Sequence, residues 1–299
     1  MSILYTIIMN INAGNHWYFL YIVIFVGLFV GLHFLLRRRS SRTKWIVLYS
    51  ILILNFAIHF AAPFLLHMDA STQYSIRRIT LQNICAVSAV TFPFIILMPS
   101  RFLRTGMITL GILSGFASLV YPDEVLGRGA FDTNVIRFYV QHIIIVLVPL
   151  LILSLGLYKL RFRDIWMLPV YFIIVLFIVT LNSVMLSYTG LISGAPHTNN
   201  QSFQWGTNNQ MAILFDWITP NFLQTVPFGP NAGAAQPIPV LHLVPALAVY
   251  TIFLQLVAWG FYFLYLVVSR EISDKQLKKR ISDWNSDAPA APQVEQSTN

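Results

Sequence analysis

The sequence predicts an all-α, polytopic transmembrane helix bundle of about seven spans, with the N-terminus outside and the C-terminus cytoplasmic. Three observations predict it. Of 299 residues, 57% are hydrophobic and 10% are charged, against about 25% charged in an ordinary soluble domain. Seven segments reach the roughly 20 apolar residues that a membrane-crossing helix needs. The basic residues gather on alternate connections. Together these exclude a soluble globular enzyme, a nucleic-acid-binding domain and a disordered chain. The single cysteine excludes a disulfide framework and a cysteine-based zinc site.

The expected spans are 17–36, 45–66, 79–98, 103–121, 136–158, 165–187 and 240–268. Trp17, Trp45 and Trp166 stand at span ends, as interfacial anchors do. Residues 1–16 form an outer segment without Lys or Arg, and the apolar run that follows is too long for a signal-peptide core, so span one is read as retained. Residues 17–268 form the membrane domain, with a long outer loop over 188–239. Residues 269–299 form a cytoplasmic tail, first basic and then Ser, Ala and Pro rich, which reads as disordered.

Orientation follows from the cations. Arg37, Arg38, Arg39, Arg42, Lys44, Arg101, Arg104, Lys159, Arg161, Arg163, Arg270, Lys275, Lys278, Lys279 and Arg280 all fall on one side, leaving Arg77, Arg78, Arg128 and Arg137 on the other. The formal charge of +8 is thus mostly topology. The run from Lys275 to Arg280 reads as contact with anionic lipid rather than nucleic acid. In span four, Gly111, Ser114, Gly115 and Ser118 allow close helix approach, read as packing within the chain.

No Asp or Glu falls inside a span, which counts against proton- or cation-coupled transport. The polar residues that do lie inside share a depth: His59, Cys85, His142 and Asn182 are each expected about 8–10 Å below the outer interface at 1.5 Å per residue. Gln82, Asn83 and Gln141 share that layer, with Asn55 one turn deeper on the face of His59. Polar groups in hydrocarbon are costly unless they meet or line a wet cavity, so one polar pocket in the outer half of the bundle is expected.

A thiol with an imidazole in reach is a covalent-catalysis pair. The imidazole takes the proton and the thiolate attacks an acyl carbon, giving a thioester. Cys85 and His142 are the candidates. A third polar group normally orients the imidazole or serves the oxyanion, and Asn182, His59, Gln82 and Gln141 are all open for it. His59 and His142 could in principle bind a metal, but no carboxylate lies in the spans and no third ligand is evident. Neither a metal nor an organic cofactor is expected.

The run Leu81-Gln82-Asn83-Ile84-Cys85-Ala86-Val87-Ser88, the later Gln141-His142-Ile143, Leu181-Asn182-Ser183, and Gly206-Thr207-Asn208-Asn209-Gln210-Met211 in the outer loop resemble the transmembrane protein 164 and YwaF-type family of integral membrane proteins. The resemblance covers roughly residues 20–268. It implies acyltransferase-like activity on phospholipids without acyl-CoA, with Cys85 as nucleophile, His142 as its partner and Asn208 in the loop motif. In that light Arg77, Arg78 and Arg137, which oppose the positive-inside bias, are candidates to hold a lipid headgroup; snorkelling to the interface is their simpler role.

The function expected is a membrane-embedded acyltransferase or acyl hydrolase, acting through a thioester on phospholipid or another lipid ester in a bacterial plasma membrane. The alternative is a transporter or channel for a small or lipidic solute, and a third reading is a lipid sensor. The sequence leaves open donor, acceptor, oligomeric state and whether spans three and five touch.

Overall fold

The computed structural model describes residues 10–65, 79–164, 166–189 and 252–268. Among them are seven α-helices: α1 (His16–Leu36), α2 (Ser41–Leu65), α3 (Ile84–Ile95), α4 (Arg101–Val120), α5 (Thr133–Ser154), α6 (Met167–Tyr188) and α7 (Ile252–Val268). Two short 3-10 turns lie at Asp123–Val125 and Phe162–Asp164. Four helices, α1, α2 over Ser41–Ala61, α4 and α5, are long and apolar enough to cross a membrane; α3, α6 over Met167–Val179 and α7 are shorter apolar helices. The chain forms two compact units, Met1–Gln255 and Leu256–Asn299. The expected first part of span seven, nearly all of the loop 188–239 and the tail 269–299 lie outside the described residues.

The helices start where the sequence supplies caps. The first amides of a helix have no partner within it, and in hydrocarbon an unsatisfied N–H costs several kcal/mol. Asn15 accepts from the Tyr18 amide, Ser40 from Thr43, Ser100 from Leu103 and Asp132 from Asn134. Each is of the side-chain type that N-caps favour.

α5 is the centre of the first unit and packs against α1, α2, α3 and α4. It is apolar nearly all round, and Tyr139, Val146, Val148 and Leu151 are fully buried, as expected of a helix enclosed by others. α1 sits at the rim and exposes Phe19, Val23, Val26 and Phe34, a surface suited to lipid.

Helices in lipid gain no hydrophobic energy from one another, so close fit and small residues hold them together. α4 supplies them. A Cβ on Gly115 would lie 2.9 Å from Val146 Cβ and 3.2 Å from the His142 carbonyl oxygen. One on Gly111 would lie 2.9 Å from the Phe92 ring and 3.0 Å from Pro149 Cγ, and one on Gly106 would enter the Tyr171 ring. The small-residue face of α4 thus packs within the chain, against α3, α5 and α6. Pro93 in α3 and Pro149 in α5 each interrupt a hydrogen-bond ladder at that depth.

The two ends are tied differently. At one, the Ile11 amide donates to Arg128 O and Gly127 N to Ile11 O, both at 2.8 Å. Gly127 makes this turn with φ +78°, a conformation that glycine adopts freely. The Tyr18 and Tyr21 hydroxyls donate to Val120 O and Ala130 O, fastening α1 to the α4–α5 connection. At the other end Asp164 is buried and pairs with Arg101, which also donates to Lys159 O at 2.9 Å and covers the Tyr158 ring at 5.1 Å.

The main departure from expectation is the third span. A helix over 79–98 was expected, but α3 starts only at Ile84 and ends at Ile95. The reason is Asn83. Its backbone is extended (φ −151°, ψ 171°) and its side chain accepts from Ala86 N at 2.7 Å, which fixes it as the N-cap. Ile79–Asn83 is therefore a polar lead-in to the helix and not its first turns.

Gly115→Ala is expected to lower stability by about 1–3 kcal/mol, the usual cost of overpacking, because the clash includes backbone on α5. Gly27 and Gly31 of α1 have open space where a Cβ would stand. Alanine there should be neutral or raise the melting temperature slightly. Thermal unfolding in detergent measures both; equal effects at Gly115 and Gly31 would contradict the packing described.

Candidate functional site

The N-termini of α1, α3 and α5 and the C-termini of α2, α4 and α6 share one end of the six-helix unit. Cys85 belongs to the first turn of α3 and is half-buried. The lead-in that delivers it is pinned from two helices. On α2, His59 Nε2 lies 3.2 Å from Ile79 O. A carbonyl can only accept, so that nitrogen donates. On α6, Asn182 Nδ2 donates to Thr80 Oγ1 at 3.2 Å. The Gln82 amide closes a tight turn onto Thr80 O at 2.9 Å.

His142 reaches the same place from α5. The residue is 7% exposed, and Nδ1 lies 2.7 Å from Phe138 O, the carbonyl one turn before it. Again the carbonyl can only accept, so Nδ1 carries the proton and a neutral ring has its lone pair on Nε2. The Cys85 thiol lies within interaction range of this imidazole. Spans three and five are therefore in contact here. A third helix contributes Ser118, whose Oγ lies 3.8 Å from Cys85 Sγ.

The group that orients the imidazole is thus backbone. None of the four expected side chains occupies Nδ1. Asn182 and His59 hold the lead-in, Gln82 is half-buried within it, and Gln141 is buried with its Nε2 unpartnered among the described residues. Asn55, one turn below His59, is 1% exposed, and both polar atoms of its side chain are likewise unpartnered. Arg137 is half-buried on α5, and its charge acts on His59. Arg77, Arg78 and Asn208 lie outside the described residues.

Two contributors went unseen in the sequence. Glu124, on the 3-10 turn after α4, lies within electrostatic range of His142; its place just past the end of span four was the available signal. Ser118 was read only as a small packing residue. Among the described residues no three His, Cys, Asp or Glu side chains gather as metal ligands would.

Chemically the arrangement offers a thiol, a buried imidazole with a fixed tautomer, and a neutral hydroxyl beside the sulphur. The thiol stands at the start of a helix, where the macrodipole favours negative charge.

The model of the TMEM164 family matches residues 12–220, which includes α1 to α6 and every site residue named above. No curated protein and no solved structure matches the chain.

Asn83→Ala removes the cap that starts α3. It should cost about 1 kcal/mol of stability and slow alkylation of Cys85 several-fold, whereas Asn83→Asp should keep both near the parent values. Thermal unfolding and the rate of iodoacetamide labelling test this; unchanged labelling in the alanine variant would show that the cap does not position the thiol.

Proposed function

The chain belongs to the TMEM164 family and is an integral membrane protein, and from that premise we propose that it is a CoA-independent lipid acyltransferase or acyl hydrolase using Cys85 as nucleophile and His142 as base and acid. The observation that carries this reading is a thiol within interaction range of an imidazole whose Nδ1 is held by the Phe138 carbonyl. That hydrogen bond does what a carboxylate or amide does in other nucleophile–base pairs: it fixes ring and tautomer.

The reaction balances without a metal or organic cofactor. His142 Nε2 takes the thiol proton, and Cys85 Sγ attacks the ester carbonyl carbon of a phospholipid. As the tetrahedral centre collapses, the C–O bond breaks and the imidazolium returns the proton to the departing glycerol oxygen. A thioester and a lysolipid result. An acceptor hydroxyl, from a second lysolipid or from water, then gives its proton to His142 and attacks the thioester, and the C–S bond breaks to restore the thiol. The α3 N-terminus lies where thiolate and oxyanion charge develops. Arg137 with Arg77 and Arg78 serves the headgroup phosphate. In this reading the site faces the outer leaflet of a bacterial plasma membrane, seven spans place the N-terminus outside, and the basic connections lie in the cytoplasm.

The test is purified protein incubated with phospholipids bearing a clickable acyl chain. A hydroxylamine-sensitive adduct is expected on the parent chain and none on Cys85→Ala. His142→Gln should slow its formation by about 10²–10⁴, the usual contribution of general acid–base catalysis. No adduct across choline, ethanolamine and glycerol phospholipids would overturn the reading. Solute or lipid flux that survives Cys85→Ser would instead favour a transporter.

A further inference from the structure

Among the described residues, the Cys85 sulphur has the Ser118 hydroxyl of α4 beside it and interacts with the His142 imidazole of α5. The place of Ser118 is set by helix register. α3 and α4 run antiparallel, Phe92 lies against Gly111 and Cys85 against Ser118. Those pairs are seven residues apart on both helices, which is about two turns. Gly115, between them on α4, abuts the His142 carbonyl. One face of one helix therefore sets both the hydroxyl and the backbone of the imidazole beside the thiol.

We propose that the Ser118 hydroxyl is a second hydrogen-bond donor to the Cys85 sulphur and, together with His142, holds it as the attacking thiolate. The proton moves from Sγ to His142 Nε2. The sulphur, now anionic, accepts from Nε2–H and from Oγ–H of Ser118. In a site walled by hydrocarbon, removing one donor from a charged acceptor is costly. Acylation removes the charge from the sulphur and weakens the same bond, so Ser118 favours the attacking form over the thioester. Of the ionisable groups at this end, His142 on α5 interacts with Cys85 and with Glu124 on the turn after α4, and Arg137 on α5 acts on His59 of α2. α6 has no Asp, Glu, Lys, Arg or His, and on α4 the only charged residues, Arg101 and Arg104, stand at the opposite end. Ser118 is thus a neutral donor that stays in force whatever the pH.

Turnover rests on the acyl-transfer reading, but the hydrogen bond itself does not, and it is tested without lipid substrate. The chain has one cysteine, so iodoacetamide uptake by the full-length protein in nanodiscs, followed by mass spectrometry, reports Cys85 alone. Only the thiolate reacts appreciably. At pH 7, Ser118→Ala should react about tenfold more slowly than the parent, the scale of one lost hydrogen bond to a charged group. At pH 10.5, about two units above the ordinary thiol range, the difference should vanish. Ser118→Thr, which keeps the hydroxyl, should restore the pH 7 rate. Equal rates for parent and Ser118→Ala at pH 7 would overturn the proposal. So would a deficit of the same size at both pH values, which would mean that Ser118 only shapes access. If a lipid adduct never forms but the pH-dependent deficit is found, the acyl-transfer reading fails and the hydrogen bond stands.

Discussion

The close fit of α4 against α3 and α5 is the constraint on which the rest of the six-helix unit depends. In lipid no water is released when helices meet, so association comes from contacts that need near-touching backbones. Gly111 and Gly115 permit this, with Phe92 and Pro149 packed against the first and Val146 and the His142 carbonyl against the second. The same fit that holds the helices together sets the separation of the thiol on α3 from the imidazole on α5. Stability and site geometry are here one property of one helix face.

Polar side chains at that end are used mainly on backbone. Asn83 accepts from an amide, while His59 and His142 donate to carbonyls. Each bond removes a cost that hydrocarbon would impose on both partners. Each also fixes a position: the start of α3, the lead-in before it, and the ring that faces Cys85. Asn182 and Ser118 instead meet side chains, and Asn55 and Gln141 are buried with side-chain atoms unpartnered among the described residues.

Much of this was legible in the sequence. Hydropathy located the helices because a 20-residue apolar run has few alternatives, and α1, α2, α4, α5 and α6 lie within a few residues of expectation. Equal depth along spans correctly drew Cys85, His142, His59 and Asn182 to one end. What failed was the local reading of Gln82 and Asn83. Both were counted as polar residues inside a span, although an Asn directly before an apolar run is also an N-cap signal. Roles were harder to read than places. Asn182 and His59 were expected beside the imidazole, but hydropathy and spacing carry no information about which backbone carbonyls are within reach. The Phe138 carbonyl could not be seen for the same reason, since every residue has one. Ser118 was hidden by its size: in a span a serine reads as a spacer until a partner is known.

Pro93 follows Phe92, and Phe92 and Pro149 both pack on Gly111, so the two prolines stand near one depth. A helix bends most easily where a proline removes a ladder bond. Each proline leaves one carbonyl of its own helix, Ala89 O in α3 and Ile145 O in α5, without its usual ladder donor, at a common height below Cys85 and below His142.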